Sequence, residues 1–347
     1  MSSHAPSRPL LRLCVLGFFV LACGASGTAS SKPRAKSPAH AAPAATRPAA
    51  AAQAISALNA ERVKLVWEAA AGGFGRGVAI SRKLGRVAVS SGNQLQLYEL
   101  STGKRVGAIA SCREVLRGGL AFADGKLIVV CDNAVELWDA HRLARLKAPK
   151  TEPQRTTAAA IVWPRLALGH RDGVIRMYGL DGSPSIAIRV PGPPIDVKSL
   201  DLTRDGSKLA VAWVQGSVWW WRTSEPDKPH ELVRHENESD SVAFSDDGAL
   251  FAEEGRTAFT TVWTLSSPPV EKARLKNGDW IKRLLFTRDA RWLVRGGSDG
   301  LELAEIAGPK RVALDTRGSV EDVSLDEQGS TLSAIDRDGR LSVWAIR

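Results

Sequence analysis

Short apolar strands, most ending in an aromatic ring, recur along this chain at an almost fixed interval. They are LQLYEL (95–100), VELWDA (135–140), VIRMYGL (174–180), VWWWRT (218–223), TTVWTL (260–265), LELAEI (301–306) and LSVWAI (341–346). Aligned on Tyr98, Trp138, Tyr178, Trp221, Trp263, Ala304 and Trp344, they are spaced by 40, 40, 43, 42, 41 and 40 residues. The 287 residues from Glu61 to Arg347 therefore divide into seven units of 41. A period of this length marks a repeat architecture, in which no unit can bury both of its faces alone.

Each unit carries a second signature upstream of the aromatic. A strand such as SVAFSDDGALFAE (241–253) passes through a tight turn, and related turns fall at Asp124-Gly125, Asp205-Gly206 and Gln328-Gly329. Glycine accepts positive φ and aspartate bonds its own backbone, so these pairs read as hairpins. Alternating Val, Ala, Phe and Leu around them fits strands of five or six residues, and no helical period runs through 61–347. Every unit reads as strand, hairpin, strand, turn, aromatic-ended strand and a looser fourth strand.

Four-stranded units of this length resemble WD-repeat β-propellers, and the resemblance covers the whole of 61–347. The implied fold is all-β, with seven four-stranded antiparallel blades. Ring closure removes exposed ends. The last unit stops at its third strand, RLSVWAIR, while RVKLVWEAA (62–70) stands unassigned before the first complete unit. The N-terminal strand is therefore expected to complete the last blade and lock the ring. The chain departs from the family as well. Only Trp138-Asp139 keeps the Trp-Asp pair, and the Gly-His opening is missing apart from His235 near that place. The family's Ser/His/Asp/Trp networks are thus expected to be mostly gone, leaving apolar packing to hold the blades.

The segment before the repeats is of another kind. Arg8 and Arg12 precede an apolar run from Leu13 to Ala22, too short for a comfortable membrane span, so residues 1–23 read as an export signal. Its end, VLAC, resembles a bacterial lipobox with Cys23 as the lipid-bearing residue; plain cleavage near ACGASG is the alternative. Residues 24–60, rich in Ala, Pro and Ser, read as a disordered tether. These features imply an exported, lipid-anchored protein of the periplasm or outer membrane of a bacterium.

Charge and chemistry narrow the function. The formal charge of +10 includes six basic residues ahead of Glu61, where no acid occurs, so the repeat region holds 41 basic against 37 acidic residues. A broad nucleic-acid face is not indicated. No catalytic constellation, cofactor motif or metal spacing stands out. His40, His141, His170, His230 and His235 read as surface or loop residues, and GHRDG (169–173) reads as a turn. In the propeller reading, Cys112 and Cys131 fall on one face of the second blade, where the family often pairs a His with an Asp. In an oxidising envelope a disulfide between them is expected, with two separately buried thiols as the alternative.

Trp219, Trp220 and Trp221 stand in a row. Trp221 aligns with Trp138 and Trp263 as a core aromatic, as do Tyr98, Tyr178 and Trp344. Trp220 aligns with apolar residues. Trp219 aligns with Gln96, Glu136, Arg176, Thr261, Glu302 and Ser342, all polar. A hairpin turning at Gln215-Gly216 would set Ala212 opposite Trp219 and Ala210 opposite Trp221. Trp219 either packs under a local loop or anchors a partner. The sequence as a whole implies a monomeric, non-catalytic scaffold that presents loops to an envelope protein. The rival readings are a glycan- or small-ligand-binding receptor using exposed aromatics, and an enzyme with a central-channel site.

Overall fold

The structure, a computed structural model, describes residues 53–347 apart from residues 57, 113, 153, 184 and 190–194. The expected signal segment, Cys23 and most of the expected tether lie outside the described residues. Seven four-stranded antiparallel sheets follow one another as blades. In six of them the strands are ordered as they occur in the chain, from an inner first strand to an outer fourth. The seventh joins Val320–Leu325, Thr331–Asp336 and Arg340–Ile346 to the N-terminal strand Val63–Ala70. That strand pairs antiparallel with the last one, from Val63 opposite Ile346 to Ala70 opposite Arg340. The ring is locked as the sequence implies.

Packing explains why the aromatic recurs. Seven apolar clusters lie among the described residues, one in each gap between neighbouring blades. The third-strand ring of each blade fills the gap toward the preceding blade: Tyr98 between blades seven and one, Trp221 between three and four, Trp344 between six and seven. Blade six has Ala304 there, and Phe286 and Ile306 occupy that gap instead.

The expected tether ends before residue 60. Ile55 is fully buried with blades six and seven, its N–H bonds the Gly329 carbonyl at 2.8 Å, and Ala60–Arg62 forms a single 3-10 turn. An isoleucine that seals an inter-blade gap gains more from burial than a solvated linker residue does.

The register of blade four also differs from expectation. Trp219, Trp220 and Trp221 lie opposite Val211, Ala210 and Leu209, one residue from the predicted pairing. The hairpin loop holds three residues, not two. Its last residue, Gly216, sits at φ 82° after a turn closed by its N–H on the Trp213 carbonyl at 2.9 Å. Three-residue hairpins need a left-handed residue at that place, and glycine supplies it without steric cost.

The inner strands line a central channel. Call the face where they begin proximal and the face where they end distal. Proximal loops join each fourth strand to the next inner strand and each second strand to its third; distal loops make the other two turns. Polar side chains tie the inner strands across the gaps. Asp201 accepts the Phe244 N–H at 2.7 Å, Ser241 accepts the Leu284 N–H at 3.1 Å, and Asp322 accepts those of Val78 and Gly118 at 3.1 and 3.3 Å. The distal face adds a belt of cations reaching the next blade. Arg82 pairs with Asp326 at 3.1 Å, Lys208 donates to the Gly248 carbonyl at 2.6 Å, and Arg288 joins Asp246 to the Glu327 carbonyl.

Candidate partner-binding face

Blade two departs most from the repeat, and the departure shapes the channel. Its inner strand, Val115–Ala123, pairs Val115 with Cys131 and then Leu120 with Val129. Residues 116–119 are thus an enlarged bulge facing only Val130. Gly118 holds φ 67°, and a Cβ on Gly119 would stand 2.7 Å from the carbonyl oxygens of Leu116 and Val130. Glycine is required at both places for these reasons. The bulge reaches across the channel: Arg117 donates to the Glu321 carbonyl at 2.8 Å and to its carboxylate at 3.1 Å. It stands between a distal cavity of about 500 Å³ and a proximal mouth of about 260 Å³.

The disulfide is present beside this bulge. Cys112 and Cys131 are bonded with their Cα atoms 6.2 Å apart, and Cys131 pairs with Val115, where the bulge begins. The chain-entropy model assigns roughly 3 kcal/mol to closing a loop of this size. Replacing both cysteines by serine is expected to lower urea-unfolding stability by about that amount. Native protein, denatured without reductant, should show no free thiol from this pair; two would contradict the bond.

Polar networks inside the blades have changed residues rather than vanished, which corrects the expectation that they are mostly gone. In blade five Glu253 accepts from His235 at 2.6 Å and Trp263 at 3.4 Å. In blade two Glu136 accepts from Ser111 at 2.8 Å and Trp138 at 3.1 Å. In blade one Tyr98 donates to Gln96 at 2.8 Å. The physical reason is that a buried indole N–H or phenol needs an acceptor, and a carboxylate or amide from another position serves. The expectation of surface or loop histidines fails at His170 and holds for His235, which lies in a loop. His170 is fully buried at the end of Arg165–His170, where burial lowers its pKa. The hydrogen bond to Glu253 raises that of half-buried His235.

Trp221 and Trp344 are buried completely, Trp220 packs toward blade five on the His230 ring at 4.4 Å, and Tyr98 and Tyr178 are buried too. Trp138 and Trp263 are half-buried. Trp219 lies half-buried against the gap between blades three and four, its ring 6.4 Å from Trp221 at an interplanar angle of 30°. Five of its polar equivalents, Gln96, Glu136, Arg176, Glu302 and Ser342, make side-chain hydrogen bonds, whereas this position holds a stacked indole. Trp219→Ala is expected to cost about 1–2 kcal/mol, half the burial of a full ring; chemical denaturation measures it, and no loss at all would mean the ring contributes nothing to packing.

The channel carboxylates are occupied structurally. Burial pushes Asp201 up to about 6 against the stabilising Phe244 N–H, and burial likewise raises Asp322 against Arg283. Each already accepts neighbouring backbone N–H groups. No cluster of three or more metal-ligating side chains forms among the described residues.

The proximal face holds two aromatics that sequence reasoning missed, one exposed and one half-buried. Phe74, 42% exposed, sits in the loop into blade one with the guanidiniums of Arg76 and Arg337 at 5.1 and 5.7 Å from its ring centre. Trp280, in the loop into blade six, lies under Arg256 at 4.7 Å and Lys282 at 5.2 Å. Neither falls on a repeat strand, so the alignment that found the core rings passed over them. Behind Trp280, Arg256 bonds Asp240 at 2.5 Å, and Glu254 is buried beside Asp240. Burial and the Asp240 charge push Glu254 up to about 8, so it is a neutral acid at pH 7.

No family model matches the chain. A 140-residue stretch, 38% of this chain, is 27% identical to the small ribosomal subunit protein RACK1y of Oryza sativa subsp. japonica, and spans only 41% of that protein. A chain in the crystal structure of a mitotic checkpoint complex superposes with a TM-score of 0.70 at 18% identity, over 90% of this chain and 99% of that one. The structural likeness shows the seven-bladed fold, and the two likenesses together agree with a propeller of the WD-repeat type.

Proposed function

We propose that this chain is a non-catalytic protein-interaction scaffold, exported and lipid-anchored through Cys23 in a bacterial cell envelope, that holds a protein partner on its proximal face. The observation that carries this is the exposed Phe74 with its two guanidiniums, on the same face as the Trp280 group. Aromatic and arginine side chains around a recess are the composition of binding hot spots. The two similar proteins bear the names of a ribosomal subunit and a checkpoint complex, both assemblies, which supports the scaffold reading. The sequence ahead of the ring supports the anchored location. Trp219, packed on Trp221, offers a glycan less than a free indole would.

A photo-crosslinking residue in place of Phe74 should capture a protein in intact cells, and the same residue in place of Arg204 on the distal face should not. Capture from position 204 alone, or from neither, would sink this reading. Cys23→Ser should release the protein from the membrane fraction; retention there would contradict lipidation.

A further inference from the structure

Five cationic side chains line the small proximal mouth, Arg76, Arg117, Lys198, Lys282 and Arg283, against three carboxylates, Asp240, Glu321 and an Asp196 that is itself paired with Arg171 at 3.5 Å. Their carboxylate partners are shared. Arg76 and Arg155 both lie on Glu114, at 2.5 and 3.9 Å. Arg117 and Lys282 both lie on Glu321, and Lys282 is buried to 7% side-chain exposure. Lys198 divides Glu238 and Asp240 with Arg256, while Arg283 lies on Asp322 at 3.4 Å and feels the buried Asp201, with no hydrogen bond on its Nε. Two carboxylates thus serve two cations each, so positive charge is left over around one recess.

The surroundings define what that charge can take. Glu236, Asp279 and Asp338 are exposed on the same face, so a long polyanion laid over it would meet repulsion outside the mouth. The excess is local, and a cavity of about 260 Å³ suits one or two carboxylates. Phe74 and Trp280 lie against two of the mouth's cations, Arg76 and Lys282, and add apolar surface at its rim that a bare inorganic anion cannot use. We propose that the proximal mouth receives carboxylates from an acidic, aromatic-bearing segment of a protein partner. This deepens the docking reading above and rests on it.

The test uses two fluorescent peptides and the purified protein, followed by anisotropy. One peptide carries glutamates on both sides of a tryptophan; in the other, glutamine replaces every glutamate. The acidic peptide is expected to bind at least about tenfold more tightly, and Arg76→Glu and Lys198→Glu each to weaken it by about tenfold, as for charge pairs in other interfaces. Arg204→Glu on the distal face should leave it unchanged, and Lys198→Gln gives a milder substitution if the charge reversal unfolds the blade. Equal binding of the two peptides, or binding that survives both reversals, would overturn the proposal. So would displacement of the peptide by inorganic phosphate at equal concentration, which would mark a small-anion site. If position 74 still captures a protein in cells while the acidic peptide fails, this inference falls and the docking reading stands.

Discussion

Alanine in place of Trp221 is expected to lower folding stability by about 3–5 kcal/mol, the range for deleting a fully buried large aromatic. The ring is completely buried between blades three and four, with Leu209 of its own blade opposite it and Ala167 and Met177 of blade three in the same cluster. Those neighbours belong to two separately folded sheets. Neither sheet can move into the space without opening its own hydrogen-bonded ladder, so a cavity remains and its cost adds to the lost burial. Urea unfolding followed by circular dichroism gives the number. A loss below about 1.5 kcal/mol would show that the gap collapses, contrary to a rigid blade seam. Blade six shows how the chain itself fills such a gap: with Ala304 at this position, Phe286 and Ile306 supply the bulk.

Glu254→Gln is expected to stabilise the protein at pH 8 and to leave it unchanged at pH 4.5. Burial beside Asp240 raises this carboxyl from an ordinary 4.5 to about 8 in the folded state. Between those values the folded protein keeps a proton that the unfolded chain has released. Stability must therefore fall as pH rises through that window, by roughly 1.4 kcal/mol per unit at most. Glutamine is neutral at every pH and close in shape, so its advantage should grow to several kcal/mol by pH 8. His235 acts in the same direction. Its pKa is raised, so what its ion pair with Glu253 contributes is present below the ordinary histidine value and fades as pH rises through the raised one. Comparing the variant with the parent at each pH cancels that contribution. Parallel stability curves for the two proteins would contradict a neutral Glu254.

The blades and their closure were legible because they rest on periodicity. An aromatic every 40 to 43 residues and an unpaired strand at each end leave little choice of topology. The hairpin register in blade four was not legible, because Gln215-Gly216 can be read as a complete two-residue loop or as part of a three-residue one. Val214 decides, and nothing local marks it as loop. The bulge in blade two was hidden by compensation. The turn Asp124-Gly125 has both residues at positive φ and is only two residues long, against five in the corresponding loop from Thr203 to Ser207. The shorter turn offsets the longer inner strand, and the spacing from Tyr98 to Trp138 stays at 40. The Arg117-Gly118-Gly119 run was the available signal.

The polar nodes and the proximal mouth escaped for a different reason. Glu321 stands 204 residues from Arg117, and only the closed ring brings them together; Glu253 and Asp240 lie 18 and 16 residues from His235 and Arg256 but come from different repeat positions. A periodic alignment finds what repeats, and these contacts occur once each. The disulfide was the exception, because a shared face, with the expected oxidising envelope, made the Cys112–Cys131 pairing the favoured reading over two separate thiols.

The closing strand also sets how the disc meets mechanical load. Tension on the chain ahead of Ile55 enters through that buried side chain and then through Val63–Ala70, which pairs along its length with the last strand of the same blade. A pull along this strand shears its backbone bonds together instead of opening them one by one. The rupture rate under force, rather than the equilibrium stability, then fixes how long the ring stays shut. The seam that completes the circle is also its force-bearing joint.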